Sequence, residues 1–326
     1  DRIRQAAHQL GTAEDRTEVH NRIANLYANG ITQPSNAIAI LIAHHTVECM
    51  GAGSKDTTIR RLLEGGKAAL AESAVTQAQT VLRAALTLLP AGDAHAPRER
   101  VAVLTMLAKA EYLLANFDAA EAALNELDTS DKDIDTLVAS GEIRQRIAFA
   151  RIDIPEAVRH TMGTLVALGV AVPKGMLDVR TLVALLRVQA KLRGCKPEDF
   201  QHRKALSNRH IYTAIRLIGE ISSALYYMKS KHFGYLLVRQ MELTVDHGNH
   251  ALSGSAMCAY GIVRLIGLGD VDGGYAWSHA GINMPDTFSG REFRAKNIVS
   301  HGLIVQHRKE HFDETYQHFR AGYAYG

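Results

Sequence analysis

A few short stretches of the chain have residue types and spacings that could do chemistry. His307, Glu310 and His311 form an H-x-x-E-H pattern in 307-HRKEH-311. On one continuous helix that spacing aims two imidazoles at a single zinc ion and leaves the carboxylate as general base. Gly65-Gly66-Lys67 suggests a phosphate-cradling loop, and His44-His45 and the His247/His250 pair suggest metal ligation. Each pattern fails on inspection. The zinc reading needs a distant carboxylate ligand and an unbroken helix, and the repeat frame below puts Glu310 and His311 at a turn. The phosphate loop needs a glycine five positions before Gly66 and a hydroxyl residue after the lysine, but Arg61 and Ala68 stand there. Neighbouring helical side chains point about 100° apart, so His44 and His45 do not chelate as a pair. No His-Asp dipeptide occurs, which removes the usual helical phosphohydrolase signature. The stretch 267-GLGDVDGG-274 lacks G-x-G-x-x-G spacing and reads as a turn, and 128-DTSDKDID-135 reads as a solvated linker. The sequence therefore predicts no catalytic residues, no metal ligands and no cofactor.

The elements that would position any site are helical. Alanine and leucine dominate the apolar residues and aromatics are scarce, a mixture suited to close-packed helices rather than sheet. The net charge of +3, with 16 histidines counted neutral, offers no concentrated basic face and so no argument for nucleic acid. Cys49, Cys195 and Cys258 are odd in number and widely spaced. They form no disulfide framework or zinc pattern, and a reducing, cytoplasmic setting is the simpler expectation. The longest apolar runs are much too short to span a bilayer, and no membrane association is expected. The start at Asp1 rather than methionine, without a signal-peptide pattern, leads us to expect a piece of a longer chain.

Internal self-similarity then sets the architecture. In 101-VAVLTMLAKAEYLLANFDAAEAALNEL-127, Leu104, Leu107 and Ala108 share one helix face, Asn116-Phe117-Asp118 makes a turn, and Ala120, Leu124 and Leu127 share a face of a second helix. Counted from Val101, these are the offsets of a tetratricopeptide unit: a large residue at position 4, small residues at 8 and 20, an apolar one at 24. Counted from Ile59, the same slots hold Leu62, Gly66, Ala78, Leu82 and Ala85, with Pro90 ending the unit. Small residues at 8 and 20 let paired helices approach closely, while the large ones interlock. A third unit begins at Val138, with Ile154 in its turn and Ala157 at the tight slot. Three weaker units place turns near Phe233, Val271 and Phe312, with Leu236, Gly274 and Thr315 at slot 20. The slot-20 residues recur at about 40 residues, with one gap about twice that, which implies a degenerate unit near 173–216. Within it, 178-DVRTLVALLRVQAKLRG-194 reads as a helix ended by Gly194. The expected architecture is an all-α, tetratricopeptide-like helical-hairpin solenoid over 57–326, truncated at its C-terminus around Gly322 to Gly326. A helical leader over 1–56 precedes it, with helices at Val19 to Tyr27 and Ala37 to Met50 and a loop at 51–56.

Several of these segments resemble the repeat region of large bacterial signalling proteins that combine a kinase-like domain, a STAND-type ATPase, tetratricopeptide-like repeats and an output module such as a sensor histidine kinase. The resemblance rests on 15-DRTEVHNRIANLY-27 and 42-IAHHTVEC-49, which look like the end of the ATPase module. The runs 62-LLEGGKAALAESAVTQAQTVLRAALTLLP-90, 107-LAKAEYLLANFDAAEAAL-124, 165-LVALGVAVP-173, 247-HGNHALSGSAMCAYG-261 and 268-LGDVDGGYAWSHAG-281 fit its repeats. It implies a non-catalytic regulatory scaffold between an ATPase-type switch and an output domain. The kinase and ATPase motifs of the family are absent from these residues, so those activities do not carry over.

Two binding expectations follow. Slot 9 lies near the surface with which such repeats grip peptides. It holds Lys67, Lys109 and Arg146 in the first three units, then Leu225, Val263 and Ile304. This predicts a groove whose basic N-terminal half suits a protein partner, such as an acidic peptide or another domain of the same chain, or an anion, and whose apolar C-terminal half is filled or protein-covered. Alternatively, the chain senses a small-molecule inducer. The aromatics Tyr226, Tyr227, Tyr260, Tyr275 and Trp277 mark where its pocket would lie, although the same residues would serve as repeat core.

Overall fold

A computed structural model describes residues 12–90, 98–128, 133–285, 287 and 291–323, and the expectations for 1–11, 129–132 and 324–326 lie outside them. The described residues are all-helical apart from one isolated parallel bridge between Ala205 and Asn249. Packing divides the chain into two units, 1–153 and 154–326.

The first unit comprises α1 (Ala13–Gly30), α2 (Asn36–Glu48), α3 (Lys55–Ala71), α4 (Val75–Leu88), α5 (Arg98–Leu113), α6 (Phe117–Asp128) and α7 (Ile134–Ala150). Their starts are chemically marked. Thr12 and Asp15 form a reciprocal capping box, Ser54 caps α3 and Asp133 caps α7. The expected loop at 51–56 is therefore shorter, because Ser54 satisfies the Thr57 amide and lets α3 begin at Lys55.

Successive helices pack in pairs, and the small residues set how closely. A side chain at Gly66 would meet Leu82 Cδ2 at 2.6 Å, so only glycine lets α3 and α4 approach this far. Gly65 does the same against Ala43, which seats α2 directly on α3. Leu62, Ala78, Leu82 and Ala85 are fully buried, as are Ala108, Ala120, Leu124 and Leu127 around the next pair. Ala115, in the turn after α5, takes a positive φ of 59° and reverses the chain within three residues.

The second unit comprises α8 (Ile154–Ala167), α9 (Leu177–Lys191), a short 3-10 turn (Pro197–His202), α10 (Arg209–Tyr227), α11 (His232–His247), α12 (Ser253–Leu268), α13 (Val271–Ile282), α14 (Arg291–Ser300), a π-helical turn (His301–Val305), a 3-10 turn (Gln306–Arg308) and α15 (Phe312–Tyr323). The segment 197–208 lacks an α-helix. It is held instead by the Ala205–Asn249 bridge and by Asn249 Nδ2, which donates to the Phe200 carbonyl at 2.7 Å. Helices α12 and α13 cross at glycines: a side chain at Gly281 would sit 2.6 Å from the Gly254 carbonyl oxygen. Around that crossing, Trp277 meets Tyr260 and Phe200 edge to face at 5.4 and 5.8 Å, the preferred geometry for ring quadrupoles.

At slot 9 of the later units, Leu225 and Val263 are 1% and 6% exposed and lie in the core. Tyr226, next to Leu225, is exposed instead.

Candidate binding grooves

In the first unit, side chains of α3, α5 and α7 wall a groove of about 1010 Å³. These helices share a direction. Arg100 at the start of α5 bonds the Leu89 carbonyl beyond the end of α4 and pairs with Glu126 late in α6. Arg151, just after α7, reaches Asp118 and Glu121 at the start of α6. Both α5 and α7 thus run antiparallel to α6, and Lys109 and Arg146 stand at the same end of parallel helices.

Lys67, Lys109 and Arg146 are all exposed, and none pairs with another described side chain. Of the three, Lys67 borders the cavity, whereas Lys109 and Arg146 lie further along their helices. Each sits four residues before the last residue of its helix. The groove also presents what the sequence reading passed over. Arg98 adds a cation, and Glu64, Asp133 and Asp135 add carboxylates, the last two from the acid run read as a linker. Between them lie Leu63, Val101, Ala102, Thr105, Met106 and Ala139. The walls offer charges of both signs and an apolar floor, which suits recognition of an extended segment.

Beneath this surface, a buried carboxylate joins the helix pairs. Glu111, 1% exposed, accepts from Arg83 Nε and Nη2 at 3.0 and 2.6 Å, from Gln79 Nε2 at 2.8 Å and from Asn116 Nδ2 at 2.9 Å. Burial raises its pKa, but the donors from Asn116, Arg83 and Gln79 outweigh burial and hold it below the usual carboxylate value.

In the second unit, α10, α11, α12 and α14 with its π-turn wall a cavity of about 540 Å³. Lys296 Nζ lies inside, donating to the Gly219 carbonyl at 2.6 Å and to Ser222 Oγ at 2.9 Å. Burial pulls this ammonium down to about 8, against the attraction of Glu220. Asn297, 4% exposed, accepts from Ser255 Oγ at 3.0 Å, and its Nδ2 has no partner.

The aromatic residues predicted to share a pocket are dispersed. Tyr226 and Tyr227 line this cavity, whereas Tyr260 and Trp277 belong to the core. Tyr275 stacks on His279 with ring centroids 5.4 Å apart and donates its hydroxyl to Glu310.

That last contact also disposes of the H-x-x-E-H pattern. The π and 3-10 turns break the helix, Glu310 is occupied by Tyr275 and Gln306, and His311 is exposed beside Asp313. No group of three potential metal ligands forms among the described residues.

A buried Ser278–His301 pair is the nearest approach to a catalytic constellation, with Oγ and Nδ1 2.9 Å apart. Both residues are 0% exposed, and burial holds His301 down to about 4, so the imidazole is neutral and out of reach of substrate. The pair reads as a hydrogen-bonded seam between α13 and the π-turn. Its partners lie 23 residues apart, and nothing in their local pattern announces it.

No helix among the described residues is long and apolar enough to cross a membrane. In comparisons with known proteins, the chain matches no protein-family model and no curated protein.

Proposed function

We propose that this chain is a non-catalytic interaction scaffold of the tetratricopeptide type, serving a bacterial multidomain signalling protein of the cytoplasm by relaying state between an ATPase-type switch and an output domain. Its working surface is the groove on α3, α5 and α7. The observation that carries the reading is the arrangement of that groove: three parallel helices present an apolar floor among charges of both signs, with Lys67 toward the end of α3, Lys109 and Arg146 further along α5 and α7, and Asp133 and Asp135 beside Arg98 at the helix starts. Such a surface takes an extended protein segment whose acidic residues face Lys67, Lys109 and Arg146 and whose basic residues face Asp133 and Asp135. A second feature points the same way. Helix α9 exposes Val179, Leu182, Val183 and Leu186 at i, i+3, i+4, i+7 spacing, an apolar stripe suited to protein contact.

The test is an array of peptides about ten residues long, the length that crosses three helices in extended form. The peptides are graded in charge pattern and probed with the wild-type chain and with the Lys67→Glu, Lys109→Glu, Arg146→Glu triple variant. The expected result is selective binding of mixed-charge peptides by the wild type, weakened about tenfold or more in the variant. Equal binding by both proteins overturns the assignment of the groove.

A further inference from the structure

The cavity in the second unit has a feature that packing alone does not explain. Lys296 is a largely buried cation whose described contacts are both neutral, the Gly219 carbonyl and Ser222 Oγ. The nearest charge that acts on it, Glu220, is committed to Arg216 through a hydrogen bond at 2.5 Å. A buried charge without an opposite partner is costly, and such groups are ordinarily paired. The ammonium carries three hydrogens and uses two of them here.

Asn297 borders the same space, with its amide nitrogen covered by protein. It is almost fully buried, its Oδ1 is satisfied by Ser255, and its Nδ2 is left unpartnered. A buried amide hydrogen with no acceptor is expensive to leave unmade. The spare donor that the cavity presents is therefore the Lys296 ammonium, so the complement it lacks is an acceptor, and its charge makes that acceptor an anion.

The remaining walls select the rest of the molecule. Tyr226, Tyr227, Phe233, Ile262, Leu303 and Ile304 supply apolar and aromatic surface. The volume of about 540 Å³ falls in the range of small-molecule sites. A carboxylate, with two oxygens to satisfy, matches a single ammonium set in a wall that is otherwise largely apolar.

We propose that this cavity binds a small amphipathic carboxylate, its anionic group held by Lys296 and its aromatic or aliphatic body seated against Tyr226, Phe233 and Ile262. The site is separate from the groove on α3, α5 and α7 and stands whether or not that groove binds peptide. It gives the chain a ligand input within its own second unit.

Isothermal titration of the full 326-residue chain tests the proposal. The probes are 4-phenylbutyrate, indole-3-acetate and decanoate, each set against its corresponding primary alcohol as a neutral control. At least one carboxylate binds with a dissociation constant below about 1 mM, and its alcohol binds at least about tenfold more weakly. Lys296→Met, which keeps the apolar stem and removes the charge, abolishes the preference for carboxylate. Leu303→Trp, at a residue 61% exposed on the cavity wall, blocks both classes of ligand without disturbing the core. Circular dichroism and thermal melting confirm that each variant is folded. The proposal is overturned if no carboxylate binds the folded wild type, if the alcohols bind equally well, or if folded Lys296→Met retains the preference.

Discussion

Replacing Glu111 by alanine removes the polar joint between the α4 and α5 helices of the first unit. Its carboxylate collects four hydrogen bonds, two of them from one guanidinium. Breaking a fully buried ion pair costs about 3–5 kcal/mol. The Arg83 side chain, however, is 57% exposed and can return to water, so the loss falls below that range. Charge-assisted bonds of about 1.5–3 kcal/mol each are also partly recovered as Gln79 and Asn116 find solvent. A destabilisation of about 2–3 kcal/mol results, or roughly 5–10 °C in the melting of a unit this size. Glu111→Gln keeps shape and one acceptor and loses about half as much. The pH dependence gives a sign that packing alone would not. Because the folded pKa is depressed below 4.5, the stabilisation is complete above that value and fades as pH falls through the lower folded one. The gap between wild type and Glu111→Gln therefore narrows in acid. Chemical denaturation at neutral and acidic pH measures it, and amide exchange locates the loosening in α4 and α5. A change within about 0.5 kcal/mol at neutral pH, the range of an ordinary surface substitution, refutes the role given to Glu111.

Other expectations follow from the same geometry. Gly281→Ala drives a methyl group into the Gly254 carbonyl and Cys258, and destabilises by about 1–3 kcal/mol in denaturant titration. Gly267→Ala is its control: the nearest atom lies at 3.8 Å, and helix propensity makes the change neutral or stabilising by up to about 1 kcal/mol. His250 and His301 are both held down to about 4, so the unfolded chain binds more protons between that value and 6.5, and stability falls as pH drops through this window. Each contributes a slope of up to about 1.4 kcal/mol per pH unit there, and His301→Gln flattens the acid limb of a stability-against-pH curve.

The helices and turns were legible because they rest on local signals. The turns expected near Phe117, Phe233, Val271 and Phe312 fall within two residues of observed helix starts at Phe117, His232, Val271 and Phe312. Tight slots such as Ala78 and Ala120 are fully buried, because a small residue at a helix crossing leaves its mark on the sequence. The binding surfaces were much less legible. In 291-REFRAKN-297, Lys296 looks like one more solvated charge, and its burial depends on Gly219 and Ser222, more than seventy residues away. Asp133 and Asp135 read as linker, although one caps α7 and both wall the groove. The π-turn at 301–305 has no sequence signature, yet it separates His307 from the helix that the H-x-x-E-H pattern assumes. Aromatic residues mislead for a related reason: adjacent positions on one helix, such as Leu225 and Tyr226, differ only in which side faces the core.

The most direct test of the scaffold reading is a chemical-shift titration of the full chain with the strongest mixed-charge peptide from the array. Amides and methyls of Leu63, Thr105, Met106 and Ala139 should shift together and saturate with one affinity, while α8–α15 respond weakly. Saturable binding that leaves those residues unmoved and perturbs another surface would contradict the account.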